Sequence, residues 1–179
     1  MKATTPTERI KQLLPQLFTN DRASGTRYLF FQITAEVRAA IPLTQVWEAT
    51  ILPATAITPL PQMPSSVLGL HSGRDRVYCV IELGELLGLV TPTKIPQQYP
   101  VIVVQVSPPS NLDLNDSSFF LIGLAVNRIL RTVAVNEEEI ISPIEEFPAE
   151  LTPYLQGCLQ QDAQQIAVLD LTAITDKIS

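Results

Sequence analysis

The sequence predicts a mainly β fold in which about ten short strands form two similar lobes packed together, each a small antiparallel barrel. Three observations carry that prediction. Short apolar runs recur along the 179-residue chain and are cut off by its 15 prolines, a density above the usual roughly 5%. Proline removes a backbone donor and is kept out of helix interiors and central strands, so long helices and a doubly wound α/β fold are disfavoured. The segment from Gly69 overlays the segment from Gly157 without a gap, at a constant offset of 88 residues. Finally, Val101 to Val106 is apolar except for Gln105, the pattern of a strand buried on both faces.

Residues 1–26 read as an N-terminal extension before a domain covering 27–179. Ile10, Leu13, Leu14, Leu17 and Phe18 have helical spacing, but Pro15 sits among them, so a short or broken helix is expected. Such a segment suits either docking into a partner's groove or packing on its own domain, and Asn20 to Thr26 reads as a linker. Strands are then expected at Tyr28 to Ile33, Val37 to Leu43, Val46 to Leu52, Val67 to His71 and Val77 to Glu82. Ser72 to Asp75 makes a turn, and a short helix from Leu83 to Leu89 closes this half. The Pro92 to Pro100 linker separates the halves. Val101 to Val106, Phe119 to Val126, Ile129 to Val135, a stretch near Leu155 to Gln160, and Gln165 to Leu171 follow as strands. The polar Ser107 to Ser118 between them reads as a loop.

In the 88-residue overlay, Cys79-Val80-Ile81 falls on Ala167-Val168-Leu169, and Glu82-Leu83 on Asp170-Leu171. Each copy has a glycine, a polar hairpin tip, a buried strand, an acidic-Leu step and a helical exit. Two copies of one unit explain how many short strands stay soluble, since closing sheets removes their edges.

Composition narrows the function. Hydrophobic residues make up 46% and charged residues 17%, ample for a core. The net charge of −6 argues against nucleic acid as a partner. Lys and Arg are scattered singly, so no polybasic membrane patch is expected. The longest apolar run, Phe119 to Val126, is far below the roughly 20 residues of a membrane span, so no direct membrane insertion is expected. The start lacks the apolar core of a secretory signal, and Cys79 and Cys158 read as buried thiols of a cytosolic protein.

Signals of chemistry are absent. The one histidine, His71, and Cys79 stand in no nucleophile context, and two cysteines with a distant histidine make no zinc spacing. Gly84 to Gly88 lacks the Lys-Ser/Thr of a phosphate loop. Asp113 and Asp116 lack the glycine and distal glutamate of a calcium loop, and Glu137-Glu138-Glu139 reads as a solvated turn. The expectation is a protein that is no enzyme and carries neither cofactor nor metal. A third class, an enzyme built on His71 or Cys79, is the reading those residues leave weakest.

At the first overlaid segment the chain resembles a known family. Gly69-Leu70-His71-Ser72-Gly73-Arg74-Asp75-Arg76-Val77-Tyr78-Cys79-Val80-Ile81-Glu82-Leu83 is similar to the CheW-domain signature, roughly G-V-x-N-L-R-G-x-V-x-P-V-I-D-L. Ala40 to Glu48 resembles its A-I-P-x-x-V-x-E stretch, and Ile57 to Met63 with Pro64 its proline-bounded step. Gly123 to Val126 with Ile129-Leu130 resembles its G-L-x-V-D-x-V pair. Tyr154 to Gly157 and Val168 to Leu171 resemble its closing Y-L-x-G and I-L-D-L. The resemblance implies two five-stranded β-barrel lobes around a shared hydrophobic core. It also implies a cytoplasmic, non-catalytic adaptor, recruited to membrane receptor arrays, in a chemotaxis-like or pilus-motility pathway. Its partners would be the regulatory domain of a CheA-type histidine kinase, docked lobe to lobe, and a receptor signalling tip lying in the groove between the lobes.

Carried over by position, the resemblance assigns Val46, Glu48 and Arg74 to partner binding. From the residues alone, Val46 is equally a core residue, and Glu48 and Arg74 are equally exposed charges. The signature is altered here: Ser72 and Asp75 replace its Asn and Gly, Cys79 its Pro, and Asn127 its Asp, so partners differing from those of the standard adaptor are expected. The alternative reading is a stand-alone small-molecule-binding β-barrel with an apolar groove between its lobes.

Overall fold

The computed structural model describes residues 25–73, 76–90, 94–107, 119–142 and 147–178. The expected N-terminal helix, Arg74, Asp75 and most of the expected loop at 107–118 lie outside the described residues. The strands are β1 (Thr26–Gln32), β2 (Arg38–Pro42), β3 (Val46–Pro53), β4 (Val67–Ser72), β5 (Val77–Glu82), β6 (Gln98–Val106), β7 (Phe120–Ala125), β8 (Arg128–Val135), β9 (Leu155–Gln161) and β10 (Gln164–Leu169). Two helices, Leu83–Leu86 and Leu171–Ile178, follow β5 and β10. The strands form two five-stranded sheets, ordered β8-β1-β2-β10-β9 and β3-β6-β7-β5-β4, here the first and second lobes.

Two features of the expected barrels change. The lobes are not wholly antiparallel: β10 runs parallel to β2, and β5 parallel to β7. These pairs join strands far apart in the chain, so no hairpin forces them antiparallel. Nor does a full ladder close either lobe. Single bridges, Ile141 to Cys158 in the first and Thr58 to Leu70 in the second, are what link the segment after one edge strand to the other edge. A smaller difference lies at the C-terminal end. The strand expected to reach Leu171 stops at Leu169, because the Asp170 carboxylate accepts the N–H groups of Thr172 and Ala173 and starts a helix there.

The offset of 88 residues is written into the registers. In β4–β5, Gly69 faces Val80, Leu70 faces Cys79, His71 faces Tyr78 and Ser72 faces Val77. In β9–β10 the same pairs recur 88 residues on: Gly157 with Val168, Cys158 with Ala167, Leu159 with Ile166 and Gln160 with Gln165. Both glycines are required by close approach. A Cβ at Gly69, which has φ +141, would run into the Thr58 carbonyl, and one at Gly157 into the Ile140 side chain. Thus β1–β5 and β6–β10 are two copies of one unit, and each lobe takes two strands from one copy and three from the other.

This exchange makes three cores. Leu29 and Phe31 of β1, with Ile33 just after it, meet Ile102, Val104 and Val106 of β6 in a core shared by the lobes, with Leu83, Leu87, Leu171 and Ile174. The alternate residues of β1, Tyr28 and Phe30, turn into the first lobe's own core with Ala40, Ile166 and Val168. Those of β6, Tyr99, Val101 and Val103, turn into the second lobe's core with Leu52, Tyr78 and Val80. Both β1 and β6 are therefore buried on both faces, which is why each carries a continuous apolar stretch, Tyr28 to Phe31 and Tyr99 to Val104.

Candidate functional site

The second lobe's own core opens to solvent at one end, where β3 begins. Here β3 carries a bulge: Val46 faces Val104 and Glu48 faces Val103, leaving Trp47 as the extra residue. A bulge re-aims the side chain it inserts, and Trp47 is 49% exposed. Its ring lies 5.7 Å from that of Phe119, tilted by 36°. The Arg76 guanidinium covers both, 4.8 Å from the Phe119 centroid and 5.5 Å from that of Trp47. A cation over two aromatic faces is held by their quadrupoles. Trp47, Glu48, Thr50, His71, Arg76 and Tyr78 surround an open cleft of about 610 Å³.

The three expected partner residues fall out differently. Glu48 is exposed on the wall of this cleft. Its charge, second to burial itself, raises the pKa of the Tyr78 phenol on the cleft floor. Val46 is half-buried and packs against the shared core, so its apolar contacts are internal as well. Arg74 lies outside the described residues. Sequence reasoning did not single out Trp47, Phe119 or Arg76. They are distant in the chain, and only the pairing of β3 with β6 and of β5 with β7 brings them together.

Other candidates read by sequence have structural occupations. The His71 Nδ1–H donates to the Ala56 carbonyl at 2.9 Å, and the ring packs 5.4 Å from Tyr78, tying β4 to the chain after β3. Because His71 faces Tyr78 and the neighbouring Cys79 faces Leu70, alternation puts His71 and Cys79 on opposite faces of the sheet, so they form no dyad. Burial raises the Cys79 thiol pKa, which lowers its nucleophilicity at neutral pH. Cys79 and Cys158 are not joined in a disulfide. Glu137–Glu139 forms a 3-10 turn in which Asn136 Nδ2 donates to Glu139 Oε1 at 2.7 Å. Among the described residues no group of three or more His, Cys, Asp or Glu side chains is arranged to hold a metal, and no helix is long and apolar enough to cross a membrane.

Where the lobes meet, a separate apolar groove of about 850 Å³ runs between Ile33 and Ala35 on one side and Ile57, Val67, Tyr99 and Pro100 on the other. Glu82 lines it; burial raises its carboxyl pKa, against the lowering effect of backbone N–H groups from Glu85 and Gly84. Neither Val46 nor Glu48 reaches this groove.

These features define a class: a two-lobed β protein built from two copies of one five-stranded unit, with an open cleft at one lobe end and an apolar groove between the lobes. Comparison with protein families makes the class specific. The CheW-like domain model matches residues 27–179, and the chain belongs to that family, whose members are non-catalytic scaffolds. Among solved structures, the chain is similar to that of the scaffolding protein TtCheW from Thermoanaerobacter tengcongensis. The TM-score is 0.64 at 19% identity, covering 82% of this chain and 89% of that one. Comparison with curated proteins finds no match.

Proposed function

We propose that the chain is an adaptor that couples a receptor signalling tip to the regulatory domain of a CheA-type histidine kinase, in a chemotaxis-like or pilus-motility pathway, on the cytoplasmic side of the membrane. The observation that carries this reading is the Trp47–Phe119–Arg76 platform beside Glu48. Exposed aromatic and arginine side chains over an apolar floor are the groups that anchor protein partners. Family membership supplies the partner class. Val46, Glu48 and Arg74 are the residues proposed to contact a partner, with Arg74 offering a forked guanidinium to a carboxylate.

The experiment is calorimetric binding of the purified chain to the cognate kinase regulatory domain and, separately, to the receptor tip. Micromolar or tighter association with either is expected (about −8 kcal/mol). Arg74→Glu and Glu48→Arg should weaken it while circular dichroism and melting temperature stay as in the parent. Association with neither partner sinks the reading. The groove between the lobes favours a second one, in which a small apolar molecule is held between Ile57, Tyr99 and Pro100. A thermal-shift screen separates the two, because a specific ligand raises the melting point with no protein partner present.

A further inference from the structure

Two apolar parts of the chain complement each other. One is the groove between the lobes, of about 850 Å³, where Ile33 and Ala35 face Ile57, Val67, Tyr99 and Pro100. Ile95 also lines it and is 85% exposed, the most exposed large apolar side chain among the described residues. The charges lining the groove are mostly acidic, Glu82 and Glu85 against Lys94. The other part is the segment from Ile10 to Phe18, in which Ile10, Leu13, Leu14, Leu17 and Phe18 repeat at helical spacing. This segment precedes the family match, which begins at residue 27.

Charge pairs the two parts as well. Residues 1–24 hold Lys2, Arg9, Lys11 and Arg22 against Glu8 and Asp21, a net +2 in a chain of net −6. Arg9 and Lys11 flank Ile10, so laying the apolar stretch in the groove brings cations to Glu82 and Glu85. The Glu82 carboxylate is partly withdrawn from water, where salt screens an opposite charge less.

The tether has the length for this. Strand β1 begins at Thr26, and Ile33 just beyond its end lines the groove, about 23 Å further on. The seven residues 18–24 extend about 24 Å, so Phe18 returns to the edge of the groove and the residues before it reach along it. A tether this short holds the segment at an effective concentration on the order of millimolar. A contact too weak to form between separate molecules is therefore filled within one chain, which favours the chain's own segment over that of a second copy.

We infer that residues 10–18 fold back on their own domain and cover the groove between the lobes, so that any other occupant of the groove must displace them. The inference goes beyond the adaptor reading and stands without it.

The test uses the full chain. Leu14→Cys with Ile95→Cys places one thiol on the segment and one at the groove. Mild oxidation should link them within a single chain at least tenfold faster than it links Leu14→Cys with Asp176→Cys. Asp176 is exposed on the helix Leu171–Ile178, which does not line the groove. Peptide mapping separates these links from any made by Cys79 or Cys158. Equal rates overturn the inference, and so do links formed only between chains, which would seat the segment of a second copy in the groove. Nile red, a neutral apolar dye, reports whether the groove is open. Leu13→Asp with Leu17→Asp should raise the affinity for the dye about tenfold over the parent. Arg9→Glu with Lys11→Glu should raise it about threefold at low salt, an effect that shrinks as salt rises. A parent chain that binds the dye as tightly as the aspartate variant has an open groove, and the inference is then wrong.

Discussion

The two lobe ends share a backbone and differ in chemistry. Each has a strand bulge that presses one side chain into solvent, Trp47 in the second lobe and Leu130 in the first. Around Trp47 the surface is aromatic and carries Glu48; around Leu130 it is a cluster of three arginines. Duplication thus supplies the same mount twice, and the side chains on it decide what each mount accepts. Such a repeat lets the exposed side chains diverge while the rigid parts stay unchanged. The comparison also separates what the fold demands of both copies from what is free to diverge.

The paired glycines belong to the demanded part, and they give the largest expected effect. At Gly69 a methyl group would meet the backbone carbonyl of Thr58, and the φ of +141 is one that side chains rarely adopt. At Gly157 the nearest obstacle is a side chain, the Ile140 Cγ2, with the Ile141 carbonyl at 3.1 Å, and the φ lies outside the left-handed region. Gly69→Ala should therefore cost about 3 kcal/mol or more, and Gly157→Ala about half as much, in urea unfolding. Equal costs would show that the two crossings are constrained alike, and the second-lobe crossing would lose its special rigidity.

The freely diverging part is tested at the bulges. Trp47→Ala removes the ring that Phe119 and Arg76 pack against. If the Trp47 platform is the proposed partner surface, the substitution should weaken binding of that partner about tenfold while unfolding free energy moves by less than about 1 kcal/mol. Leu130→Ala at the matching position should leave that same partner's affinity unchanged. A loss of similar size from both substitutions would mean that the two ends act on one partner.

How much of this could be read from the sequence follows from the range of the interactions involved. The strands, their short lengths and the doubly buried character of Val101 to Val106 are local patterns, and they were legible. So was the 88-residue offset, since the Gly69 and Gly157 hairpins face similar crossings. The parallel pairs β2–β10 and β5–β7 were not, because they join strands from different copies of the unit and no local turn announces them. The Trp47–Phe119–Arg76 platform and the Arg38–Arg128–Arg131 rim were hidden for the same reason. Glu48 and Val46 were named only through a family signature. Trp47, between them, is an ordinary strand residue until the bulge turns it outward.

Helix starts continue the comparison at a smaller scale. Asp170 and Glu82 stand 88 residues apart, and each caps the helix that follows. Asp170 accepts the N–H groups of Thr172 and Ala173; Glu82 accepts that of Glu85. Aspartate is among the favoured cap residues, and its helix is the longer. Asp170→Ala should cost about 1 kcal/mol in urea unfolding, with Asp170→Asn retaining most of it. A loss below about 0.3 kcal/mol would show that packing of Leu171 and Ile174, rather than the cap, holds that helix.

Glu82 gives the smallest effect, and its sign is opposite. Burial raises its carboxyl pKa above the ordinary value, more than the N–H groups at the helix start lower it. A group that binds its proton more tightly when folded stabilises fully below its ordinary pKa, and that contribution is lost as pH rises through the raised value. At neutral pH the chain therefore folds around a partly desolvated carboxylate. Glu82→Gln keeps an oxygen to accept the Glu85 N–H and removes the charge. It should stabilise the protein at pH 7 by about half a kcal/mol at most, because the carboxylate remains partly in water. At pH 4, where Glu82 is largely protonated in the parent chain, the advantage should shrink toward nothing. Urea midpoints of the two proteins at both pH values measure it. A Gln variant less stable at pH 7 would mean that the charged cap on the helix outweighs its desolvation, which would make Glu82 and Asp170 alike in kind as well as in position.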